Sequence, residues 1–317
     1  MSANPDITPG NPAPCLALGA DAGGSKLAIQ FEDAAGMHER TWPSVNVRQE
    51  NPETVATLLA DRIRESLDGR IFSNDAVCCL GAAGAGTDLM ASTLHKGLSE
   101  ALGLRPDQVI VTSDARIAVE AAFGGESGIL VIAGTGSGCY ALDPGGDLVR
   151  CGGWGPGLED PGSGSELGRA GIKHLLADLE AGNLDDLSRA VATRMGISSP
   201  RIATVLDAYY HTDFSPAHLA PYILDVMEAG SVEARVLVEE QALSLTRQCA
   251  RLARQLGWET PSVAVVGGLT NRDSYVDVFK ECLNEVLPGA PVMRSSQAPV
   301  AGALACARAR QRQLADS

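Results

Sequence analysis

Two segments of the chain share one pattern: an apolar run, a tight glycine turn and a second apolar run. The first segment spans 15–31 and turns at Ala22-Gly23-Gly24, and the second spans 128–142 and turns at Gly134-Thr135-Gly136. Each pattern predicts a β-hairpin, and the bare backbone of a glycine tip can direct N–H groups at an anion such as phosphate. Because one such hairpin is predicted in each half of the chain, the two glycine tips are expected to bind a nucleotide's phosphates from both sides.

The first turn partly matches two other phosphate-binding motifs. A P-loop places lysine before serine or threonine and opens a helix, whereas here Ser25 precedes Lys26 and the chain continues as a strand through Phe31. A Rossmann fingerprint must also lead from a strand into a helix. Both interpretations of Gly19–Lys26 are therefore disfavoured.

Length and charge narrow the classes of protein further. The 317 residues suffice for two domains. With 39 acidic and 25 basic residues, the net charge of −14 makes nucleic acid and anionic membrane poor partners. No apolar run reaches the roughly 18 residues of a membrane span. Residues 1–14 are rich in proline and lack the regions of a signal peptide, so we expect a disordered leader.

The eight cysteines and five histidines show no metal-binding spacing. Most cysteines lie in apolar runs, where cysteine behaves as a small hydrophobic residue, and this usage predicts a reduced, cytoplasmic protein. The histidines are scattered and no G-x-S-x-G motif is present, so no hydrolase site is indicated. We interpret the histidines as surface or core residues.

Strand and helix patterns alternate after each hairpin. In the first half the predicted elements are helix 55–67, strand 75–80, a helix ending near 102, strand 108–112 and helix 115–123. In the second half they are a strand near 148, helices up to about 258 including a long one at 232–256, strand 262–266, helix 274–286, a strand near 292 and a final helix from about 300. This order predicts an α/β fold with two related domains, mixed sheets and a cleft between the domains.

Two aspartates stand where chemistry is expected. Asp21, at the first hairpin tip, would repel phosphate unless a cation bridges the two, so it is predicted to bind Mg²⁺ or Mg²⁺-bound water; the alternative is an ordinary turn aspartate. Asp114 ends a strand and opens a helix. It is either an N-cap or a general base that accepts a proton from a substrate hydroxyl during phosphoryl transfer.

Three glycine-rich segments complete the candidate site. Gly134–Ser137 offers backbone N–H groups and two hydroxyls to phosphate, or is a plain hairpin turn. Trp154 and Asp160 lie in a stretch too rich in glycine for regular structure, which favours a ligand-shaped loop with a buried tryptophan over a mobile surface loop. Gly267-Gly268 follows an apolar strand and would let an adenine ring lie against the backbone, or simply turns the chain into a helix.

Taken together, these segments resemble the sugar kinase, actin and heat-shock chaperone ATPase superfamily, most closely the N-acetylglucosamine kinase branch of the BadF/BadG/BcrA/BcrD ATPase family. The match runs from about Leu16 to about Ala307. It implies two ribonuclease-H-like domains of the actin-like ATPase type flanking a nucleotide cleft: residues 15–114, with a C-terminal helix at about 300–317 packing back on them, and a larger domain at 115–299. ATP and Mg²⁺ are the implied cofactors and a small-molecule sugar the implied partner, and homodimers are common among similar proteins.

The resemblance also implies roles for individual residues. Those implied to bind the nucleotide are Gly23, Gly24, Ser25, Lys26, Gly134, Thr135, Gly136, Ser137, Gly267 and Gly268, with Asp21 at the metal. Those implied to contact the sugar are Asn46, Gly153, Trp154, Gly155 and Asp160. Asp114 is implied to accept the proton of the sugar's 6-hydroxyl.

One departure from the family pattern affects the sugar loop. Glu159-Asp160-Pro161-Gly162 stands where the family has Gly-Asp-Glu-Gly, which keeps the aspartate but stiffens the loop. The predicted function is transfer of the γ-phosphoryl of Mg-ATP to the 6-hydroxyl of N-acetylglucosamine or glucosamine. The alternatives are a kinase for another sugar, an activator ATPase coupling hydrolysis to electron transfer through an iron–sulfur cluster, and a non-catalytic sugar sensor.

Overall fold

The computed structural model describes residues 14–23, 26–45, 47, 51–85, 88–155, 158, 160–210 and 213–316. The predicted leader, apart from Pro14, lies outside the described residues. The chain forms two compact units: the first runs to Glu126 and resumes at Ser296, and the second spans Ser127–Ser295. Each unit is built on its own five-stranded sheet, which confirms the predicted α/β fold with two mixed sheets.

The first unit has the strand order β3-β2-β1-β4-β5. Its elements are β1 (Cys15–Ala22), β2 (Lys26–Asp33), β3 (Gly36–Pro43), α1 (Pro52–Leu67), β4 (Phe72–Ala82), α2 (Asp88–Leu102), β5 (Val109–Ser113) and α3 (Asp114–Phe123), joined by the last helix of the chain, α10 (Pro299–Ala315). Strands β1 to β3 pair antiparallel, whereas β1, β4 and β5 run parallel.

Alternate residues of the central strands point to two separate cores, as the period of a strand requires. Leu18 of β1 packs in the core that includes α1 and α2. Its neighbour Ala17 packs in a smaller core that includes Ile117 of α3 and Ala303 of α10. Helices therefore cover both faces of the sheet.

Close backbone approach places α10 on the first unit. A Cβ at Gly19 of β1 would lie 2.3 Å from the Leu304 nitrogen, and one at Gly302 would lie 1.9 Å from the Ile117 oxygen. Only glycine leaves room for α10 against both the sheet and α3. Helix α3 thus belongs to the first unit, although the sequence interpretation placed residues 115–123 in the second domain, because its contacts with α10 cannot be read from local pattern.

The second unit repeats the strand plan of the first. Its elements are β6 (Ile129–Ala133), β7 (Ser137–Leu142), β8 (Leu148–Cys151), α4 (Gly164–Ala181), α5 (Asp186–Arg194), α6 (Ile202–Tyr210), α7 (Ala220–Glu228), α8 (Val232–Leu256), β9 (Val263–Val266), α9 (Asp273–Val286) and β10 (Val292–Arg294). The strand order is β10-β9-β6-β7-β8. Here β6, β7 and β8 pair antiparallel and β6, β9 and β10 run parallel.

Both predicted hairpins are therefore present, and each begins the sheet of its unit. The long predicted helix at 232–256 is α8, whose buried stripe includes Val238, Leu245 and Leu252. Within the part of the chain that the structure describes, no helix is both long and apolar enough to cross a membrane.

A buried carboxylate joins the end of β2 to the neighbouring segments. The side chain of Asp33 is 1% exposed, and its Oδ2 lies 2.8 Å from Arg70 Nε and 3.0 Å from His38 Nε2. Its Oδ1 accepts hydrogen bonds from the Ala35 and Gly36 N–H groups. Although burial opposes ionisation, these partners hold the pKa of Asp33 down at about 2.

We expect Asp33→Asn to lower the free energy of unfolding by about 2 kcal/mol at pH 7. Because the pKa is depressed in the folded state, this stabilisation is complete above the ordinary value of 3.8 and is lost as the pH falls through about 2. Urea denaturation from pH 7 to pH 3 would show the wild-type advantage shrinking at the acidic end. The control is Asp61→Asn, which removes a 54%-exposed partner of Arg64 and should change stability far less.

Candidate active site

Asp21 and Asp114 lie at the same edge of the first sheet. Strands β1, β4 and β5 are parallel, and Asp21 pairs with Gly81, which in turn pairs with Thr112. Asp114 follows one residue beyond the end of β5 as the first residue of α3. The carboxyl ends of parallel strands meet at one edge, which is where ligands bind in α/β sheets. The structure thus brings the predicted metal ligand and the predicted base together.

Asp114 is not the N-cap of α3. Ser113 fills that position, since its Oγ accepts a hydrogen bond from the Arg116 N–H at 3.2 Å. The side chain of Asp114 is exposed and its Oδ1 accepts from the Ala115 N–H at 2.9 Å. The capping alternative from the sequence is therefore wrong for Asp114, because the preceding serine carries out that role.

The charge state of Asp21 depends on its surroundings. Burial, and after it the negative charge of Asp114, raises the pKa of Asp21 to about 6, while Lys26 acts in the opposite direction. Carboxylate oxygens are the ligands that Mg²⁺ prefers, and a cation would relieve the repulsion between the two acids. The donor set of this acidic edge (Asp21 and Asp114) therefore fits a magnesium ion.

The turn between β1 and β2 is closed by a hydrogen bond from the Gly23 N–H to the Lys26 oxygen at 3.1 Å. Lys26 is exposed at the start of β2. The remaining predicted phosphate-binding residues of this turn, Gly24 and Ser25, lie outside the described residues. The predicted sugar-binding Asn46 does as well.

In the second unit, the turn at Gly134–Ser137, here called the phosphate turn, is bonded to the start of α4. The Gly164 N–H donates to the Gly134 oxygen at 2.7 Å, and the Ser165 N–H and Oγ both donate to the Thr135 oxygen. Ser137 is buried and its hydroxyl donates to the Pro161 oxygen at 2.7 Å. Of the two hydroxyls predicted to meet phosphate, only that of Thr135 is exposed, since Ser137 gives its proton to the protein.

The segment 152–162 is here called the glycine-rich loop. Its described residues, 152–155, 158 and 160–162, include those that lie against this turn. Asp160 is 2% exposed, and its Oδ1 accepts a hydrogen bond from the Gly155 N–H at 3.2 Å. Its Oδ2 would be 3.4 Å from a Cβ placed on Gly136. The predicted sugar-contacting aspartate is therefore held inside the loop, next to the phosphate turn.

Trp154 does not have the burial that the sequence suggested. Its side chain is 55% exposed, and the Arg150 guanidinium stacks over the ring at 3.8 Å from the centroid. The neighbouring Gly153 has φ +72°, and a Cβ there would lie 2.7 Å from the Tyr140 hydroxyl. Close packing of the loop backbone on β7 leaves the indole outside, which explains the difference.

The Gly267-Gly268 turn after β9 adjoins the phosphate turn, because β6 and β9 are parallel neighbours. Gly267 has φ +120°, and a Cβ there would lie 2.5 Å from the Ala133 oxygen. At Gly268 a Cβ would meet no described atom within 4 Å. The first glycine is thus required by the fold, whereas the second leaves an open backbone surface.

Sequence reasoning missed the residues that hold the glycine-rich loop in place. The Gly162 N–H donates to Gln241 Oε1 at 3.2 Å, and the hydroxyl of the buried Tyr275 donates to the Gly162 oxygen at 3.0 Å. A Cβ at Gly152 would lie 2.1 Å from Gln248 Oε1. These partners come from α8 and α9, and no local signal in those helices points to the loop.

His174, Asp178 and Asp185 form a cluster away from the glycine turns. His174 Nε2 lies 2.6 Å from Asp185 Oδ2, while Asp185 also caps α5 and Asp178 accepts from Ser188. These bonds tie α4 to α5. The cluster therefore has a structural explanation, in keeping with the interpretation of the histidines as surface or core residues.

Comparison with known proteins relates these elements to kinases. The sequence profile of the BadF/BadG/BcrA/BcrD ATPase family matches residues 18–307. The chain is 27% identical over 302 residues to the N-acetylmuramic acid/N-acetylglucosamine kinase of Clostridium acetobutylicum, covering 92% of this chain and 97% of that protein. It is 22% identical over 306 residues to the N-acetyl-D-glucosamine kinase of Dictyostelium discoideum, covering 90% and 95%.

Solved structures share the fold at lower identity. A protein from Chromobacterium violaceum, provisionally named N-acetylglucosamine kinase, superposes with a TM-score of 0.70 at 22% identity, covering 93% of this chain and all of that one. A ROK family glucokinase from Streptomyces griseus, solved with glucose and AMPPNP, gives a TM-score of 0.55 at 19% identity, covering 94% and 99%. Both are similar to this chain over nearly its whole length.

The raised pKa of Asp21 predicts how the Asp21→Asn variant changes stability with pH and with added Mg²⁺. A raised pKa means that ionised Asp21 costs the folded state stability as the pH rises through about 6. In the absence of cation, the variant should therefore be more stable than wild type at pH 8 by on the order of 1 kcal/mol, with no gain at pH 4. Added Mg²⁺ should raise the melting temperature of wild type and not that of the variant.

The control for this measurement is Asp75→Asn. Asp75 is exposed near the start of β4, at the opposite edge of the same sheet. An equal response of Asp21→Asn and Asp75→Asn to magnesium would show that the cation binds elsewhere.

Proposed function

Because the chain belongs to the BadF/BadG/BcrA/BcrD ATPase family, we propose that it is an ATP-dependent amino-sugar kinase. It transfers the γ-phosphoryl of Mg-ATP to the 6-hydroxyl of N-acetylglucosamine, glucosamine or a related amino sugar. The kinase names of the two curated relatives support this class over an activator ATPase and over a sugar sensor. Retention of Asp21, Asp114 and both glycine hairpins also argues against a non-catalytic protein.

The observation that carries the proposal is the state of Asp114. It lies exposed at the same sheet edge as Asp21, while Ser113 caps the helix in its place. A carboxylate that helix geometry does not require, beside the proposed metal ligand Asp21, is what phosphoryl transfer to a hydroxyl needs.

In the proposed reaction, Asp114 accepts the proton of the sugar hydroxyl as the oxygen–phosphorus bond forms. The bond from the γ-phosphorus to the bridging oxygen breaks, and ADP leaves with its electron pair. Magnesium, when bound, would neutralise charge on the phosphates, and Asp21 is the residue proposed to hold it. Lys26 and Thr135, both exposed at their turns, are proposed to contact phosphate oxygens.

Sugar contacts are proposed for the glycine-rich loop and Asn46. The loop backbone is fixed by Gln241, Tyr275 and Ser137. A rigid loop positions substrate hydroxyls without a further entropy cost on binding. Asp160 lies inside this loop. It is proposed either to contact the sugar directly or to orient the loop backbone at Gly155 that contacts the sugar.

The first test is a coupled ADP-release assay with Mg-ATP and a panel of sugars. The panel contains N-acetylglucosamine, glucosamine, N-acetylmannosamine, N-acetylmuramic acid, glucose and a blank without sugar. Turnover that depends on an amino sugar supports the proposal and identifies the substrate. Equal ADP release with and without sugar would contradict it, and iron content would then test the activator ATPase.

Replacing the base should remove turnover without removing nucleotide binding. We expect Asp114→Asn to lower kcat by roughly a hundredfold or more, because the hydroxyl proton loses its acceptor. Titration calorimetry should show little change in ATP affinity.

Ser113→Ala is the matched control for Asp114→Asn. It removes the true cap and should lower stability by about 1 kcal/mol while keeping most of the turnover. Comparable kcat losses in the two variants would mean that only the helix start matters and that Asp114 is not the base.

The paired glycines after β9 test the adenosine position. Gly268 has φ −59°, so Gly268→Ala should leave stability unchanged. If the nucleotide lies on this backbone, the added methyl should raise KM for ATP on the order of tenfold, since overpacking costs about 1–3 kcal/mol. Gly267→Ala, with its strained φ and 2.5 Å contact, should instead lower the melting temperature. An unchanged KM in Gly268→Ala would place adenosine elsewhere.

A further inference from the structure

One pair of cysteines in the first unit differs from the other cysteines of the chain. Seven of the eight cysteines are buried, whereas Cys306 of α10 is half-buried. Cys306 packs against the small core that contains Cys79 of β4, and the Cys79 thiol donates a hydrogen bond to the Cys306 sulfur. Cys79 is fully buried between β1 and β5. An accessible sulfur is therefore in contact with an enclosed thiol.

A guanidinium lies beside the accessible sulfur. Arg116 of α3 hydrogen-bonds to Cys306, and its Nη2 lies 4.0 Å from Glu120 Oε1 on the same helix. The hydrogen bond from Cys79 lowers the pKa of Cys306, and Arg116 acts in the same direction, while burial and Glu120 oppose them. A nearby cation, a hydrogen-bond donor and partial exposure together favour the thiolate, which is the reactive form of cysteine.

Cysteines of the second unit lack this combination. Cys139 and Cys249 are also a hydrogen-bonded pair, but both are completely buried, and burial raises the pKa of Cys139. The pKa of Cys282 is raised by burial and by three nearby glutamates. Thiols of this kind are inert, and cysteine then serves as a small hydrophobic residue. Cys306 is the cysteine whose surroundings favour reaction.

We propose that Cys306 is a reversible oxidation site and that Cys79 resolves it into an intramolecular disulfide. The oxidant is a hydroperoxide, which is small enough to reach a half-buried sulfur. An accessible thiolate beside a resolving thiol is the arrangement that redox-sensing cysteines use. Such a site suits a reducing compartment, where disulfides form transiently. The proposal is independent of the kinase function, because it is tested on the thiols themselves.

In the first step, the Cys306 thiolate forms a bond to the terminal oxygen of the hydroperoxide, which keeps its proton. The oxygen–oxygen bond breaks, and the other oxygen leaves with the electron pair and takes a proton from solvent. In the second step, the Cys79 sulfur attacks the resulting sulfenic acid. The sulfur–sulfur bond forms, the sulfur–oxygen bond breaks, and the hydroxide leaves with the Cys79 proton as water. The thiols together lose one electron pair, which reduces the hydroperoxide.

The disulfide would join α10 to β4 and end the contact between Cys306 and Arg116. Arg116 lies two residues beyond Asp114 on α3. Helix α10 also packs closely on α3 at Gly302. Oxidation would therefore change the surroundings of the helix that begins at Asp114.

The test treats the reduced full chain with a small excess of hydrogen peroxide and follows every cysteine by peptide mapping under non-reducing conditions. We expect linked peptides containing Cys79 and Cys306, formed roughly tenfold faster than any other cysteine is oxidised. Dithiothreitol should separate them again. Cys139 and Cys249 are the internal control, since paired but enclosed thiols should stay reduced in the folded protein.

Variants separate the roles of the groups around the sulfur. Cys79→Ser keeps a donor but removes the resolving sulfur, so sulfenic acid should persist at Cys306 and be trapped by dimedone. Arg116→Gln should slow oxidation of Cys306 severalfold, because the thiolate loses the nearby charge. Cys282→Ser is the matched control and should leave the rate unchanged. Cys306→Ser, at a half-buried position, should abolish the fast reaction and does not disturb the core of the sheet.

Three results would overturn the proposal. Cys306 could react no faster than Cys282, which would show that its surroundings do not activate it. Cys306 could be oxidised in wild type without forming a link to Cys79, which would reject the resolving role. The fast reaction could also survive in Cys306→Ser, which would place it at another cysteine. Circular dichroism of each variant would confirm that the folded protein is being compared.

Discussion

The second unit depends on the backbone hydrogen bonds that join the phosphate turn to the start of α4. Gly134 and Thr135 accept from Gly164 and Ser165, and Ser137 donates to Pro161. These bonds fix the glycine-rich loop at its C-terminal end, while Gln241 and Tyr275 hold Gly162. The turn proposed to bind phosphate and the loop proposed to contact the sugar are therefore built as one rigid element. Rigid placement of this kind is what allows positioning to contribute to catalysis.

The first unit contains an electrostatically unfavourable arrangement of two carboxylates. Parallel strands bring Asp21 and Asp114 to one edge, where burial and mutual repulsion make ionisation of Asp21 costly. Proteins accept such a cost where a cation or a reaction relieves it. Elsewhere in the same sheet, Asp33 is buried with Arg70 and His38 and is fully compensated. Asp33 therefore stabilises the fold through its protein partners, whereas Asp21 lacks such compensation and can bind a cation.

Pro161, which stands where the resembled family pattern has glutamate, makes specific contacts within the second unit. Its carbonyl accepts the Ser137 hydroxyl, and its side chain lines a cavity beside α8. Proline at this position stiffens the loop, as the sequence suggests. The glutamate that the resemblance expects here is replaced, and the neighbouring Glu166 supplies a carboxylate to the same cavity.

Much of this fold could be predicted because its signals are local. Glycine tips between apolar runs indicated both hairpins, and alternating strands and helices indicated two mixed sheets. Candidate roles for Asp21 and Asp114 could also be proposed from the sequence, since Asp21 stands at the tip of the first predicted hairpin and Asp114 follows a predicted strand; that the two lie at one sheet edge came from the structure. The cap at Ser113 was not distinguished from Asp114, because both residue types cap helices well.

What remained undetermined depends on residues far apart in the chain. The sequence by itself determined the period of each element, its turns and the chemistry of its polar residues, because these follow from neighbours along the backbone. Only the tertiary structure decided that α3 and α10 belong together, that Trp154 is exposed, and that Gln241 and Tyr275 hold the glycine-rich loop at Gly162. Each of these results from packing between distant segments, which no local pattern encodes.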